Sequence, residues 1–159
     1  VDIACRVAPD QVTIVPENRE EVTTEGGLDV VRHKKELAAT IGKLQDAGIT
    51  VSLFIDPEPE QIQTAASLSV PAVELHTGAY ANAAKNSLEE LQLLARAATF
   101  VHQAGLILNA GHGLTYRNVT PVAELEGMEE LNIGHSIVAR AVFVGMAEAV
   151  REMKDLIGR

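Results

Sequence analysis

Short apolar segments alternate with longer amphipathic segments along this chain. The short segments are rich in Val, Ile and Leu and have the length of strands that are buried on both faces, as in parallel sheets. The longer segments repeat their apolar residues at helical spacing. This pattern predicts strands at Gln11–Val15, Thr50–Ile55, Ala72–Leu75, Leu106–Asn109 and Glu130–Ile133.

Helices are predicted between the strands from their start and stop signals. Gly48 follows the first long amphipathic segment in the position that favours a left-handed residue, and a capping-box pattern opens at Ser87. Paired Pro and acidic residues open a shorter helix. The predicted helices are Asp29–Ala47, a short one opening at Pro57–Glu60, Ser87–Gln103, one beginning at Thr120, and a single last helix from Ser136 to Leu156.

Strand and helix alternate about five times, which predicts a parallel α/β sheet with right-handed crossovers. Two architectures fit this order. The units could form a flavodoxin-like open sheet, or they could be five of the eight units of a TIM barrel. The length of 159 residues by itself favours the open sheet, because a whole barrel needs roughly 200 residues or more.

Composition narrows the class of protein. The formal charge is −9, and the longest basic cluster is Arg32–Lys35, which argues against a nucleic-acid or anionic-membrane partner. Cys5 is the single cysteine, so a disulfide framework is excluded and a reducing compartment is favoured. No apolar run approaches the roughly 20 residues of a membrane span. We therefore expect one soluble, cytoplasmic domain over residues 1–159.

Polar side chains lie on or just after every predicted strand near its carboxyl end, where both candidate architectures bind ligands. A single such residue is usual in a turn or helix cap, but five strands that all deliver one predict a polar cavity. The residues are Glu17, Asp56, Glu74, His76, Asn109, His112, Asn132 and His135.

Two of these strands end on Gly-His. His112 lies between Gly111 and Gly113, which leave its imidazole unobstructed, and an imidazole near neutral pH suits a general acid. Gly134-His135 precedes a long helix, whose amides and dipole attract phosphate. The simpler alternatives are an ordinary loop histidine and an ordinary helix cap.

Glu74 lies within an apolar strand and would point into a closed barrel, where a carboxylate is costly unless it is paired or used in catalysis. A structural ion pair with an interior Lys or His is the alternative.

The polar segment from Pro16 to Gly27 is long for a βα loop and ends on paired glycines, so we interpret it as a lid rather than a solvated loop. Metal-ligand spacings and nucleotide-binding glycine motifs are absent from the sequence, which predicts neither a metal nor a nucleotide cofactor.

These motifs in this order resemble those of the pyridoxine 5′-phosphate synthase family, over essentially the whole chain. The segments that carry the resemblance are Val15–Glu17, Glu21–Asp29, Val51–Asp56, Glu74–Gly78, Asn109–Thr115 and Glu130–His135. The resemblance implies a TIM barrel, of which this chain would supply about five C-terminal βα units and lack the first three strands. It also implies a homo-oligomer that uses no metal or organic cofactor.

The implied reaction joins two small phosphorylated substrates, 3-amino-2-oxopropyl phosphate and 1-deoxy-D-xylulose 5-phosphate, and closes the vitamin B6 ring with release of phosphate and water. By resemblance, His112 is the proton donor and Glu74 the transition-state stabiliser. Gly113, Gly134 and His135 would hold the aminoketone phosphate. Thr23, in the lid, would contact the deoxyxylulose phosphate.

The family's two proton acceptors, a His and a Glu, belong to units that this sequence does not contain. We therefore expect either a piece of a longer enzyme or a fragment without turnover. Two other interpretations stay open: another phosphate-handling TIM-barrel enzyme of the aldolase or epimerase type, and a noncatalytic phosphate-binding module.

Overall fold

A computed structural model describes residues 1–16, 26–83 and 87–158 of the chain. Within those ranges it forms one sheet of five parallel strands whose spatial order is the chain order. The strands are β1 (Gln11–Ile14), β2 (Thr50–Ile55), β3 (Ala72–His76), β4 (Ile107–Gly111) and β5 (Met128–Asn132). The five predicted strands are confirmed, with ends that differ by no more than two residues.

Helices connect successive strands. Several begin and end as the sequence predicts: the Asp29 carboxylate accepts from the Arg32 backbone N–H, Pro59 occupies the first turn of its helix, and Gly48 adopts a φ of +77°. The described helices are α1 (Asp2–Val7), α2 (Val30–Asp46), α3 (Pro59–Ser67), α4 (Gly78–Asn82), α5 (Ser87–Gln103), α6 (Val119–Ala123), α7 (His135–Val144) and α8 (Met146–Ile157).

The prediction of one last helix from Ser136 to Leu156 is wrong. Gly145 separates α7 from α8 with φ 84° and ψ 154°, a conformation that ends a right-handed helix and that glycine adopts without the strain of a Cβ. The apolar period runs through this break, and so the sequence pattern concealed it. The short helix α4 was not predicted.

The two faces of the sheet differ in chemistry. Leu53, Val73 and Leu108 lie in register on neighbouring strands, are fully buried and belong to the apolar core formed with the helices. The opposite face carries Phe54, Glu74, Asn109 and Glu130, also in register. A row of polar groups on one face of a parallel sheet corresponds to the interior of a barrel, not to a second helix-covered layer.

The strand order excludes the flavodoxin-like alternative. That fold places its second strand outside the first, in the order 2-1-3-4-5, whereas here each strand pairs with its neighbours in sequence. Consecutive βα units in simple succession are the arrangement of a TIM barrel. Among the helices of the described ranges, none is long and apolar enough to cross a membrane.

Candidate active site

A cavity of about 370 Å³ opens at the carboxyl ends of the strands. Five of the six predicted site residues line it, which brings both Gly-His turns and the strand carboxylate to one place. The sixth, Thr23, and most of the predicted lid lie outside the described residues. The lining residues are Val15, Phe54, Glu74, His112, Gly113, Leu114, Asn132, Ile133, Gly134 and His135.

Glu74 is the buried carboxyl group of the cavity, 7% exposed on β3. The side-chain amide of Asn132 donates to its Oε2 at 3.0 Å and also lies 3.1 Å from Glu130 Oε1. Burial raises the pKa of Glu74 to about 7, helped by the negative charge of Glu130 and opposed by the Asn132 hydrogen bond. The carboxyl group can therefore change its protonation near neutral pH.

Gly111 leaves the space that Glu74 occupies. A Cβ on this residue would lie 2.3 Å from Glu74 Oε1 and 2.9 Å from the backbone oxygen of Asn132. The carboxylate could move away from such an atom, but the backbone of β5 cannot move without disturbing the sheet. Because Gly111 has no side chain, the Glu74 carboxylate can extend from β3 across β4 and accept from Asn132 on β5.

Replacing Gly111 by alanine should therefore destabilise the fold by about 1–3 kcal/mol and displace Glu74. Denaturant unfolding measures the loss of stability. Displacement of Glu74 should appear as a loss of activity larger than that of the matched variant Gly42→Ala. Gly42 lies in α2 with open space for 4 Å around the position that a Cβ would take, and alanine there should be neutral or stabilising. Equal stability of the two variants would contradict this role of Gly111.

His112 occupies a backbone conformation that is uncommon for residues with a side chain, with φ +78°. The turn is held by Thr77, which is fully buried. Its N–H donates to the Gly111 carbonyl at 2.9 Å, and its hydroxyl lies 2.7 and 2.6 Å from the carbonyls of Gly111 and His112. The imidazole is thereby fixed at the edge of the cavity.

Partial burial lowers the pKa of His112, and a positive charge on the neighbouring His76 would lower it further. A lower pKa makes the protonated imidazole a stronger acid, although less of it is present at neutral pH. This combination suits a group that releases a proton to substrate and takes it up again.

His76 and Asp56 form a hydrogen-bonded pair behind the cavity. His76 Nδ1 lies 2.9 Å from Asp56 Oδ1, which also accepts from the Gly27 backbone N–H at 2.9 Å. The bond to His76 is the main cause of the lowered pKa of Asp56, and burial opposes it. Among the described residues, His76 bonds Asp56 and the Glu74 carboxylate accepts from the Asn132 amide, so no ion pair of Glu74 with a Lys or His is seen there.

The second Gly-His turn begins α7. Gly134 is its N-cap and His135, which is exposed, is its first residue. The Ser136 hydroxyl donates to the Leu114 carbonyl at 2.8 Å and so ties this helix start to the loop that follows His112. The amino end of a ten-residue helix faces the cavity and favours an anionic group there.

Sequence reasoning missed two structural roles in this site. Thr77 was not singled out as the residue that holds the His112 turn, and nothing in the local sequence marks its hydroxyl for that contact. Gly111 was interpreted only as a flexible neighbour of His112. It pairs in register with His76, two residues beyond Glu74 on the same face of the sheet, and this strand alignment is the signal that could have revealed its role.

Comparison with known proteins identifies the family. The model for "Pyridoxal phosphate biosynthesis protein PdxJ" matches residues 1–159. The chain belongs to the PdxJ family. Its relatives include pyridoxine 5′-phosphate synthases from Synechococcus sp. strain WH7803 (59% identical, 98% of this chain and 63% of that protein), Rhodopirellula baltica (58%, 98% and 63%) and Akkermansia muciniphila (53%, 100% and 65%).

The PdxJ-family chain thus spans less than two thirds of the length of these relatives. Its fold is similar to that of the tryptophan synthase A-subunit from Pyrococcus furiosus, a TIM barrel, with a TM-score of 0.64 at 15% identity. The match covers 99% of this chain and 60% of that structure. The TIM-barrel fold class is confirmed. Within the described ranges, no three His, Cys, Asp or Glu side chains gather as a metal site would require.

Proposed function

We propose that this chain forms part of a pyridoxine 5′-phosphate synthase, which condenses 3-amino-2-oxopropyl phosphate with 1-deoxy-D-xylulose 5-phosphate. The five described βα units would be the C-terminal units of an eight-stranded barrel. The observation that carries the proposal is the meeting of Glu74, His112 and the amino end of α7 around one cavity, in a chain of the PdxJ family.

His112 would be the proton donor of this reaction. Ring closure with loss of water and phosphate needs an acid that protonates leaving oxygens and is then recharged. An imidazole with a lowered pKa at the cavity edge supports that role. Glu74 would stabilise cationic imine intermediates, because a carboxylate held in a buried site interacts more strongly with such a charge than it would in water.

Gly113, Gly134 and His135 would hold the phosphate of the aminoketone. Gly113 and Gly134 lack side chains that could cover their backbone N–H groups, and His135 opens the helix whose dipole favours an anion. Thr23 would contact the second phosphate from the lid.

We also propose a cytoplasmic homo-oligomer. Exposed apolar residues on α7, with Phe143 83% exposed, support a subunit contact on that helix.

The test is product formation by the protein expressed at its natural length. Purified protein is mixed with both substrates, and pyridoxine 5′-phosphate and inorganic phosphate are quantified. We expect both products at equal rates, and neither when one substrate is omitted. A folded protein that binds both substrates without forming product would favour the noncatalytic module instead.

The phosphate site gives a separate prediction. We propose that the His135 imidazole adds a hydrogen bond to the phosphate beside that of its backbone N–H. His135→Ala should then raise KM for the aminoketone phosphate about tenfold and leave kcat within about twofold, because the side-chain hydrogen bond is lost in ground and transition states alike. His33→Ala is the matched control, since His33 is a partly exposed residue of α2 whose imidazole bonds the Glu36 carboxylate and does not line the cavity. A His135 variant with unchanged KM would remove this residue from the phosphate site.

A further inference from the structure

The Asp56–His76 pair has no part in the proposed reaction, although the His76 ring lies directly against that of His112. We propose that His76 is a positioning residue for His112, held by Asp56, and that the Asp56 carboxylate acts through it to favour the protonated form of His112. This inference rests on the role proposed for His112. The supporting observations are the contacts of the two rings, the burial of His76 and its hydrogen bonding.

The first observation is how firmly His76 is held. Its ring is 7% exposed and lies 5.1 Å from the ring of Phe54 on one side and 5.1 Å from that of His112 on another, both in inclined orientations. Asp56 fixes the rotation of the ring through Nδ1. The His112 imidazole therefore packs against a surface that cannot turn.

Gly78 permits this contact between the rings. A Cβ on Gly78 would lie 2.5 Å from His76 Nε2 and 3.4 Å from His112 Cδ2. The two ring edges thus converge on the bare Cα of the first residue of α4. A side chain at this position would push His76 away from Asp56 or His112 out of the cavity.

The hydrogen bonds indicate which nitrogen of His76 carries the proton. Asp56 accepts from Nδ1, whereas Nε2 is buried and has no hydrogen-bond partner among the residues that the structure describes. A proton on Nε2 would be a buried donor without an acceptor, which costs about 1–3 kcal/mol. His76 is therefore best satisfied as the neutral Nδ1–H form, with the lone pair of Nε2 on the side of His112.

This arrangement has an electrostatic consequence for His112. A positive His76 would repel the imidazolium of His112, whereas a neutral His76 backed by the Asp56 carboxylate favours it. The other ionisable groups near the pair are Glu74, which shares a face of β3 with His76, and Glu130 beside Glu74. Both are acidic and remain in place when Asp56 is changed, so the contribution of Asp56 can be isolated.

The experiment compares Asp56→Asn with the wild type at natural length. Asparagine can keep both hydrogen bonds through Oδ1 and remove only the charge. Glu60→Gln, an exposed carboxylate on α3, is the charge-matched control. Histidine side chains are labelled with ¹⁵N, and His76 and His112 are titrated by NMR; kcat and KM are measured over the same pH range.

We expect the wild-type His76 to carry its proton on Nδ1. In Asp56→Asn the titration midpoint of His112 should fall by about half a pH unit, because one nearby negative charge is lost. At pH 8 kcat should fall about threefold more than in Glu60→Gln, with KM within about twofold, because half a pH unit removes about two thirds of the protonated imidazole. An unshifted His112 midpoint in the folded variant would overturn the proposal, because a merely structural pair would leave it unchanged.

Two further readouts keep the test decisive. If Asp56→Asn does not fold, the tautomer of wild-type His76 still decides, since a proton on Nε2 contradicts the proposal. The NMR titration also does not depend on turnover. A shifted His112 in a protein that makes no product would support the pair and reject the proposed reaction, whereas product formation with an unshifted His112 would do the reverse.

Discussion

Replacing His112 by alanine is expected to lower kcat for pyridoxine 5′-phosphate formation by about a thousandfold, with KM for both substrates within a few-fold. A positioned general acid contributes roughly 10²–10⁴ in rate, and His112 lines the same cavity as Glu74. Steady-state kinetics measure the effect. Alanine also adopts positive φ less readily than histidine, so unfolding must be followed in parallel.

His112→Asn is the companion variant for that reason. Asparagine tolerates positive φ and can keep the turn that Thr77 holds, but it cannot donate a proton from an imidazolium. We expect the same loss of kcat with almost wild-type stability. His102→Asn, on α5 and remote from the cavity, serves as the control. Retention of more than a tenth of the wild-type kcat in both His112 variants would exclude His112 as the acid.

Glu74→Gln has the second largest expected effect, a decrease of about a hundredfold in kcat. Glutamine can still accept from Asn132, so the side chain stays in place while the negative charge that would stabilise a cationic intermediate is lost. Steady-state kinetics with both substrates measure the decrease. Glu58→Gln, exposed at the start of α3, is the control.

Glu74→Gln also tests the raised pKa of Glu74, through the dependence of the protein's stability on pH. The pKa of Glu74 is about 7 in the folded protein against 4.5 ordinarily, so its folded state binds the proton more tightly than its unfolded state. The resulting stabilisation is complete below about pH 4.5 and is lost as the pH rises through 7. As the pH is raised from 5 to 8, the Tm of Glu74→Gln should therefore rise by a few degrees relative to the Tm of the wild type. A Tm difference that is constant with pH would show that folding does not raise the pKa of Glu74.

The sequence predicted the strands well because each is a short run of Val, Ile and Leu between clear turn signals. Examples are Leu53, Val73 and Leu108, whose side chains all pack in the apolar core formed with the helices. The break at Gly145 was missed because the apolar residues on both sides keep one helical period. A glycine in a helical pattern predicts a break only when tertiary packing uses its positive φ.

The candidate site was predictable as a list of residues but not as a geometry. His112 was predicted from its position after a strand, Glu74 from its position as a carboxylate within an apolar strand, and both from family resemblance; both line the cavity. The contacts that tune them join residues distant in sequence: Asp56 to His76, Thr77 to Gly111 and Asn132 to Glu74. Such pairings depend on strand register, which one sequence does not specify.

The most direct measurement of the central claim is a crystal structure of the protein at natural length with 3-amino-2-oxopropyl phosphate bound. The account predicts that the phosphate contacts the backbone N–H groups at Gly113, Gly134 and His135. It predicts also that the ketone end lies within hydrogen-bonding distance of His112, with Glu74 facing the amine. A ligand bound elsewhere, or one whose phosphate lies away from the amino end of α7, would contradict it.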